Sequence, residues 1–272
     1  MLVKLIKHEF SATSKIYSTL LIICLVFTAF ACSATLLVGR IADSNPVFAL
    51  IASLPAQLLG SIVLSVMTTF PLYHAAWRFY KNLASNEGYL MHMLPVPTGH
   101  LILSKSIVAL AWLVVCTLMG FGAYIASNAA YLYVLGQEMS NAFSVTEILM
   151  IIQEMFSALL GFVPNLVFVT VAVVLIIILS TVFSLLSLYL CIAIGQLWTA
   201  HRILGAFLSY LALSFILNVV MIIAMIVFIL VSIQSLVTFY VTLISSVLLI
   251  LAAVIGCYYA TLKIFKNKLN LQ

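Results

Sequence analysis

The chain of 272 residues is 66% hydrophobic and only 6% charged, and its mean hydropathy is +1.32. Soluble globular domains contain about 45–50% apolar and about 25% charged residues, so this composition excludes a soluble fold. The net charge of +5 is small and comes from residues that flank apolar segments. It therefore indicates membrane topology, and nothing in it points to nucleic acid as a partner.

Long segments without Asp, Glu, Lys or Arg predict an all-α membrane protein with six transmembrane helices. A spanning helix needs about 20 apolar residues at a rise of 1.5 Å each. The predicted spans are Ile16–Val38, Val47–His74, Ser106–Leu135, Pro164–Ile194, Ile203–Val231 and Leu236–Leu262. The last two come from one uncharged run of 60 residues, which is too long for a single span and is divided at 232–235.

The basic residues predict the orientation of the spans. Ten of the eleven Lys and Arg residues fall on one side of the predicted membrane, and Arg40 alone falls on the other. Because cytoplasmic loops carry an excess of Lys and Arg, both termini are predicted to be cytoplasmic.

Residues 1–15 predict an amphipathic helix in the cytoplasmic interface, followed by the six-span domain of residues 16–272. The apolar face would carry Leu2, Leu5, Ile6, Phe10 and Thr13, and the polar face Lys4, Lys7, His8, Ser11 and Lys15. Basic faces of this kind bind anionic headgroups. The helix is either a topology signal or an elbow that docks a cytoplasmic partner.

The connection between the second and third spans predicts a short helix that projects into the cytoplasm. Asn86 can cap this helix, Glu87 suits its N-terminal dipole, and Pro95 ends it. Thr98 and Gly99 are then predicted to turn the chain back into the third span. The apolar side chains that the helix would expose are Tyr89, Leu90, Met93 and Leu94. Apolar residues at such a position need a partner surface.

Two further patterns concern the membrane domain. Ser144 and Glu147 form a capping box before an apolar stripe, so residues 145–160 predict an external helix, either an interfacial anchor or an outer lid.

Small residues recur every four positions at 52–60 and 252–260 and predict close helix packing. At Gly256 this pattern predicts that substitution by leucine harms folding or assembly.

The sequence contains no motif for catalysis or metal binding. It has no His-Glu-x-x-His, no Gly-x-Ser-x-Gly and no P-loop, so we expect neither enzyme activity nor ATP binding by this chain alone. The five cysteines lack Cys-x-x-Cys spacing and are predicted to be buried free thiols. No charged residue lies deep in a span, which argues against a proton- or sodium-driven transporter. Uphill transport would need the energy of a partner.

Several spaced motifs resemble those of a known family. They are Lys7–Phe10 (KHEF), Phe79–Leu83 (FYKNL), Glu87–Leu90 (EGYL), Leu94–Pro97 (LPVP) and Ser104–Lys105. In order and topology they resemble the membrane subunits of type-2 ABC transporters, and most of all the exporter permeases of Gram-positive bacteria that handle peptides such as phenol-soluble modulins.

This resemblance implies a set of contacts with a cytoplasmic ATPase. The coupling helix would present Glu87, Gly88, Tyr89, Leu90, Met93 and Leu94, and a smaller second contact would include His201 and Arg202. The elbow helix would contribute Lys4, Lys7, His8, Glu9 and Phe10. ATP and Mg²⁺ would bind to the ATPase, so this chain itself would hold no cofactor.

The resemblance also implies a place in an assembly and a cargo. Two ATPase subunits and a second permease half, either an identical chain or a paralogue, would complete the exporter in the bacterial plasma membrane. The cargo would be amphipathic or hydrophobic, with a peptide favoured over a drug or a lipid. An alternative from another class is the six-span substrate-binding subunit of a vitamin importer, which would hold a deep pocket within one chain.

The predicted topology determines which connections are accessible from outside the cell. In a cysteine-free background, Ala42→Cys and Asn141→Cys should react with a membrane-impermeant maleimide on sealed cells, because both positions are predicted to be external. Ser85→Cys should react only after the membrane is permeabilised. Labelling of Ser85→Cys in sealed cells would contradict the predicted orientation.

Overall fold

The computed structural model describes residues 2–41, 46–84, 97–139, 150, 153–154, 157, 166–198, 202–232 and 236–267. Across these ranges the chain forms six long helices. They are α1 (Leu2–Ile41), α2 (Pro46–Phe79), α3 (Thr98–Met139), α4 (Leu166–Gly195), α5 (Arg202–Ser232) and α6 (Leu236–Asn267). A π-helical turn, Tyr80–Ala84, extends α2.

Each of the six helices contains an apolar stretch long enough to cross a bilayer, between 25 and 36 residues. About 20 residues suffice, so the chain is an all-α, multi-pass membrane protein, as its composition predicts. Many large apolar side chains on these stretches are exposed, and the most apolar window of α5, 18 residues long, contains no buried residue. Side chains of this kind are suited to lipid as their solvent.

The helices are longer than the predicted spans. α1 runs unbroken from Leu2 to Ile41, because residues 2–38 contain no glycine or proline that would end it at position 15. The predicted interfacial segment and the first span therefore form one helix, and the location of residues 2–15 in the interface stays a prediction. α2 continues past His74 to Phe79 although it contains Pro55 and Pro71.

The start of α3 corrects one sequence-based expectation. Thr98 and Gly99 were expected to form a turn, but they lie in the first turn of α3, where the His100 N–H donates to the Pro97 carbonyl at 2.9 Å. Proline is favoured at a helix N-terminus because it lacks the backbone N–H that would be unpaired there. The predicted coupling helix at 87–94 and the capping box at 144–147 lie outside the described residues.

The chain divides into two compact units. The first unit consists of Met1–Glu9, Leu72–Leu110 and Val167–Gln272, and the second unit of Phe10–Pro71 and Ala111–Leu166. α4, α5 and α6 therefore belong almost entirely to the first unit, whereas α1, α2 and α3 each contribute to both.

In the second unit, aromatic contacts join α1 to α3. The indole of Trp112 stacks on Phe10 and on Tyr17, with ring centroids 4.9 and 4.7 Å apart, and its Nε1 donates to Thr13 Oγ1 at 3.0 Å. The Tyr17 hydroxyl donates to the Pro71 carbonyl at 3.4 Å. Each aromatic pair contributes about 0.5–1.5 kcal/mol beyond its buried area, so Trp112 is the main link between these two helices.

Glycines in the second unit let α2 and α3 pack closely. A Cβ on Gly60 would lie 2.8 Å from the Ser127 Cβ, and one on Gly120 would lie 2.8 Å from the Met67 Cβ. The close packing predicted at Gly60 is confirmed. At Gly256 on α6 no described atom lies within 4 Å of an added Cβ, so the same pattern gives no close approach there within the described chain.

All five cysteines are free thiols, and the predicted burial is confirmed for three of them. Cys24, Cys116 and Cys191 are buried, whereas Cys32 and Cys257 are half-buried. They behave as small hydrophobic residues of the helix contacts.

Gly60 and Gly256 form a matched pair for a stability test. Gly60→Leu should lower the melting temperature of the detergent-purified protein strongly, because the new side chain collides with Ser127 and overpacking costs about 1–3 kcal/mol or more. Gly256→Leu is the control and should leave the melting temperature near that of the parent. An equal loss in both variants, measured by thermal unfolding, would contradict the packing described for α2 and α3.

Candidate functional site

A buried hydrophobic cluster of the first unit lies on both sides of the connection between α2 and α3. Phe79 and Leu83 precede this connection, and Leu101 and Ile102 follow it. Each of the four is at most 2% exposed. The segment that carries the predicted coupling helix therefore leaves from one buried anchor and returns to another.

Phe79 is the aromatic centre of this cluster. Its ring stacks on Tyr189 of α4, with centroids 3.9 Å apart, and meets Phe265 of α6 edge-on at 5.5 Å. Phe79 is fully buried. Because aromatic pairs add about 0.5–1.5 kcal/mol each beyond area burial, Phe79 fixes the end of α2 against both α4 and α6.

A buried carboxylate in the same unit joins three helices. Glu9 of α1 is 7% exposed, and its two oxygens bind different cations. Arg78 of α2 donates through Nη2 to Glu9 Oε2 at 2.8 Å, and Lys105 of α3 donates through Nζ to Glu9 Oε1. We call these three residues the ion cluster, and the ion cluster together with Phe79, Leu83, Leu101 and Ile102 the loop base.

The electrostatics of the ion cluster make Glu9 indispensable to it. Arg78 and Lys105 flank the same connection and each binds one oxygen of Glu9, so loss of this carboxylate would remove the negative charge that lies between them. Removing one partner from a buried ion pair typically costs about 3–5 kcal/mol, since an uncompensated buried charge is left. The two cations are therefore more than signals of membrane orientation, because each has a specific structural partner.

The position of Glu9 follows from a stripe with a period of four residues. Leu5, Glu9, Thr13 and Tyr17 all face inward, and Glu9, Thr13 and Tyr17 are buried. Sequence patterning placed Thr13 on this face but gave no inward role to Glu9, which lies between basic and aromatic neighbours. A useful signal was available, since Glu9 is the only acidic residue before Asp43, and Arg78, Lys81 and Lys105 lie around the α2–α3 connection.

The structure separates the five predicted elbow residues. Lys4, Lys7 and His8 are exposed, Phe10 is 45% exposed, and Glu9 alone is buried. The five side chains therefore do not share one outer surface. Their predicted contact with a partner stays a prediction.

The residues of the predicted ATPase contact fall mostly beyond what the structure covers. Glu87, Gly88, Tyr89, Leu90, Met93, Leu94 and His201 lie outside the described residues. Arg202 opens α5. What the structure does describe is the loop base from which the predicted coupling helix extends.

The turn between α4 and α5 brings two backbones into contact. A Cβ on Gly195 would lie 2.5 Å from the Ala206 nitrogen, and Ser209 Oγ donates to the Cys191 carbonyl at 3.0 Å. Leu197 and Trp198 are 42% and 51% exposed at this turn. The resemblance implies a second partner contact that includes His201 and Arg202, but it did not single out these two side chains.

Comparison of this chain with protein-family models, with curated proteins and with solved structures finds no match. The fold and the site define a multi-pass membrane protein that has six long helices in its described ranges and a buried core of charged and aromatic residues at the two ends of its α2–α3 connection.

Neutralising Glu9 should destabilise the protein. Glu9→Gln keeps the size of the side chain but removes the carboxylate that Arg78 and Lys105 both bind, so we expect a clear fall in the melting temperature, equivalent to about 3–5 kcal/mol. The exposed Glu154 supplies the control, because Glu154→Gln should stay within about 0.5 kcal/mol of the parent.

A second variant separates charge balance from packing. Glu9→Gln with Lys105→Met restores the net charge of the ion cluster, so this double variant should be more stable than Glu9→Gln alone. If thermal unfolding shows the double variant to be less stable by the sum of both single losses, the electrostatic explanation is wrong.

Proposed function

We propose that this chain is the membrane subunit of a type-2 ABC exporter in the plasma membrane of a bacterial cell, with both termini in the cytoplasm. Two cytoplasmic ATPase subunits supply the energy, and a second permease half, either an identical chain or a paralogue, completes the path through the membrane. The cargo is amphipathic or hydrophobic, and a peptide is the favoured class.

The observation that carries this proposal is the anchoring of the α2–α3 connection. A loop that only joins two spans needs no buried ion cluster and no aromatic core at its ends. A loop that transmits force does need them, because a force applied to a loosely held loop would be absorbed by local bending. Close-packed protein interiors have low compressibility and transmit displacement, so the loop base suits a lever.

The contacts of the loop base indicate where such a force would go. Glu9 links the connection to α1, and Phe79 links it to α4 and α6. A push on the segment between Ala84 and Pro97 would therefore move several helices together. Rigid-body tilting of packed helices is a common form of two-state transition, here between inward- and outward-open states.

The distribution of cations supports the proposed orientation. Arg78 and Lys105 flank the α2–α3 connection, and exposed Lys263 and Lys266 lie at the end of α6. Cytoplasmic ends of membrane helices are enriched in such residues. The same end would then face the ATPase subunits, which bind ATP and Mg²⁺ themselves.

The vitamin-importer alternative would need a deep pocket within one chain. A cavity in the first unit measures about 210 Å³. Sites that enclose drug-sized ligands usually measure about 300–1,000 Å³, so this cavity is too small to enclose a vitamin within one chain.

The coupling helix supplies the direct test. Tyr89→Ala with Leu90→Ala should weaken ATPase association about 30-fold, because truncation of a buried anchor typically costs about 2 kcal/mol or more. Cargo-stimulated ATP hydrolysis should be lost with it. The measurement is copurification of the tagged protein from its own cells, with bound subunits identified by mass spectrometry and their ATPase activity assayed.

The control for this experiment is Tyr259→Ala with Ile255→Ala, which removes an exposed aromatic and an exposed aliphatic side chain from α6. This control should retain the ATPase and its activity. If the Tyr89 and Leu90 double variant also retains its ATPase and exports cargo at the parental rate, the proposed function loses its main support.

A further inference from the structure

A cavity of about 210 Å³ lies between α4 and α5, within their membrane-spanning stretches. Leucine and phenylalanine supply five of its ten lining residues. Its polar members are Ser184, Ser187, Tyr210, Ser214 and Asn218. We call this feature the polar cavity. Five polar side chains around one space are unusual at this depth, because polar groups in a bilayer cost free energy unless they are paired.

The hydrogen-bond donors of the polar cavity are largely used within their own helices. The hydroxyls of Ser184, Ser187 and Ser214 each donate to a backbone carbonyl three or four residues earlier, at 2.8 to 3.0 Å. Asn218 donates one N–H through Nδ2 to the Ser214 carbonyl at 2.8 Å. What these side chains still offer to the cavity is therefore mainly oxygen lone pairs.

A smaller number of donors remains. The Tyr210 and Tyr73 hydroxyls lie 3.5 Å apart and either can be the donor, so the Tyr210 O–H is available to the cavity when Tyr73 donates. Asn218 also keeps its second N–H, since a carboxamide has two. The polar cavity thus combines several acceptors with one or two donors, inside a partly apolar wall.

The excess of hydrogen-bond acceptors over donors in the polar cavity limits which ligands can bind there. The residues that line the polar cavity include no Asp or Glu, so a full positive charge would be uncompensated there. A phosphate or carboxylate would face acceptor oxygens. A neutral amide fits, because its N–H matches the serine and asparagine oxygens and its carbonyl matches the remaining donors.

We propose that the polar cavity is a binding subsite for the backbone amides of an apolar peptide segment. The apolar wall would hold the side chain of that segment. The volume suits roughly one residue with its amides, since whole drug-sized ligands need about 300 Å³ or more. This inference rests on the proposed export of a peptide, and it names the part of the cargo that one permease half recognises.

A photoreactive peptide tests the subsite on the full chain in lipid nanodiscs, without any ATPase. The probe is an acetylated trileucine amide whose central side chain carries a diazirine. After irradiation, mass spectrometry should locate the adduct on the cavity wall, at Leu213 or Leu217. The same peptide methylated on its backbone nitrogens keeps the apolar side chains but lacks N–H donors, and it should label about tenfold less.

Variants of the chain provide the matching test. Ser187→Ala with Ser214→Ala removes two acceptors, and we expect labelling to fall about tenfold. Because both hydroxyls bond only within their own helices, the melting temperature should stay close to that of the parent. Ser245→Ala on α6 is the control, since this hydroxyl is exposed and donates to the Thr242 carbonyl at 2.9 Å outside the cavity.

Three results would overturn the proposal. The first is labelling only outside α4 and α5, and the second is equal labelling by the methylated peptide. The third is equal labelling of the same residues by a photoreactive phosphatidylcholine, which would identify the polar cavity as a site for lipid chains. Association with an ATPase is measured separately, so the subsite and the proposed function can fail independently.

Discussion

The fold of the first unit depends on one carboxylate. Glu9 is buried between Arg78 and Lys105, and these three residues come from three different helices. The excess of cations on one side of the membrane creates this requirement, because two of them lie where the helices converge. A buried charge is stable only when it is paired, so the start of α1 must pack against the end of α2 and the start of α3.

The ion cluster and the aromatic contacts of Phe79 act on the same connection from two sides. Between membrane helices there is little hydrophobic driving force, because lipid tails are as apolar as leucine, and packing and polar contacts have to supply the association. Glu9 provides the polar contact for α1, α2 and α3, whereas Phe79 provides the packing for α2, α4 and α6. The α2–α3 connection is therefore held at both ends by five of the six helices.

The six helices could be predicted from the sequence because length and apolar composition alone decide whether a segment spans a bilayer. Which helices pack against each other could not be predicted in this way. The stripes that contain Gly60 and Gly256 look alike, yet only Gly60 meets another helix in the described chain, since a spacing of four defines a face and says nothing about what covers it. Glu9 escaped prediction for the same reason, because its burial depends on cations that are 69 and 96 residues away.

α4 connects the two features on which the functional proposals depend. Tyr189 stacks on Phe79 in the loop base, and Ser187, two residues earlier on the same helix, lines the polar cavity. A helix transmits displacement along its axis because its backbone hydrogen bonds keep it stiff. A movement of the α2–α3 connection would therefore reach the polar cavity through the ring contact of Phe79 with Tyr189. α5 is joined to α4 at Gly195 and Ser209, so the two walls of the cavity are fixed to each other at the turn end and can diverge only farther from it. Tilting of α4 relative to α5 about this turn would change the shape of the cavity, and under the proposed function release of a peptide would require such a change.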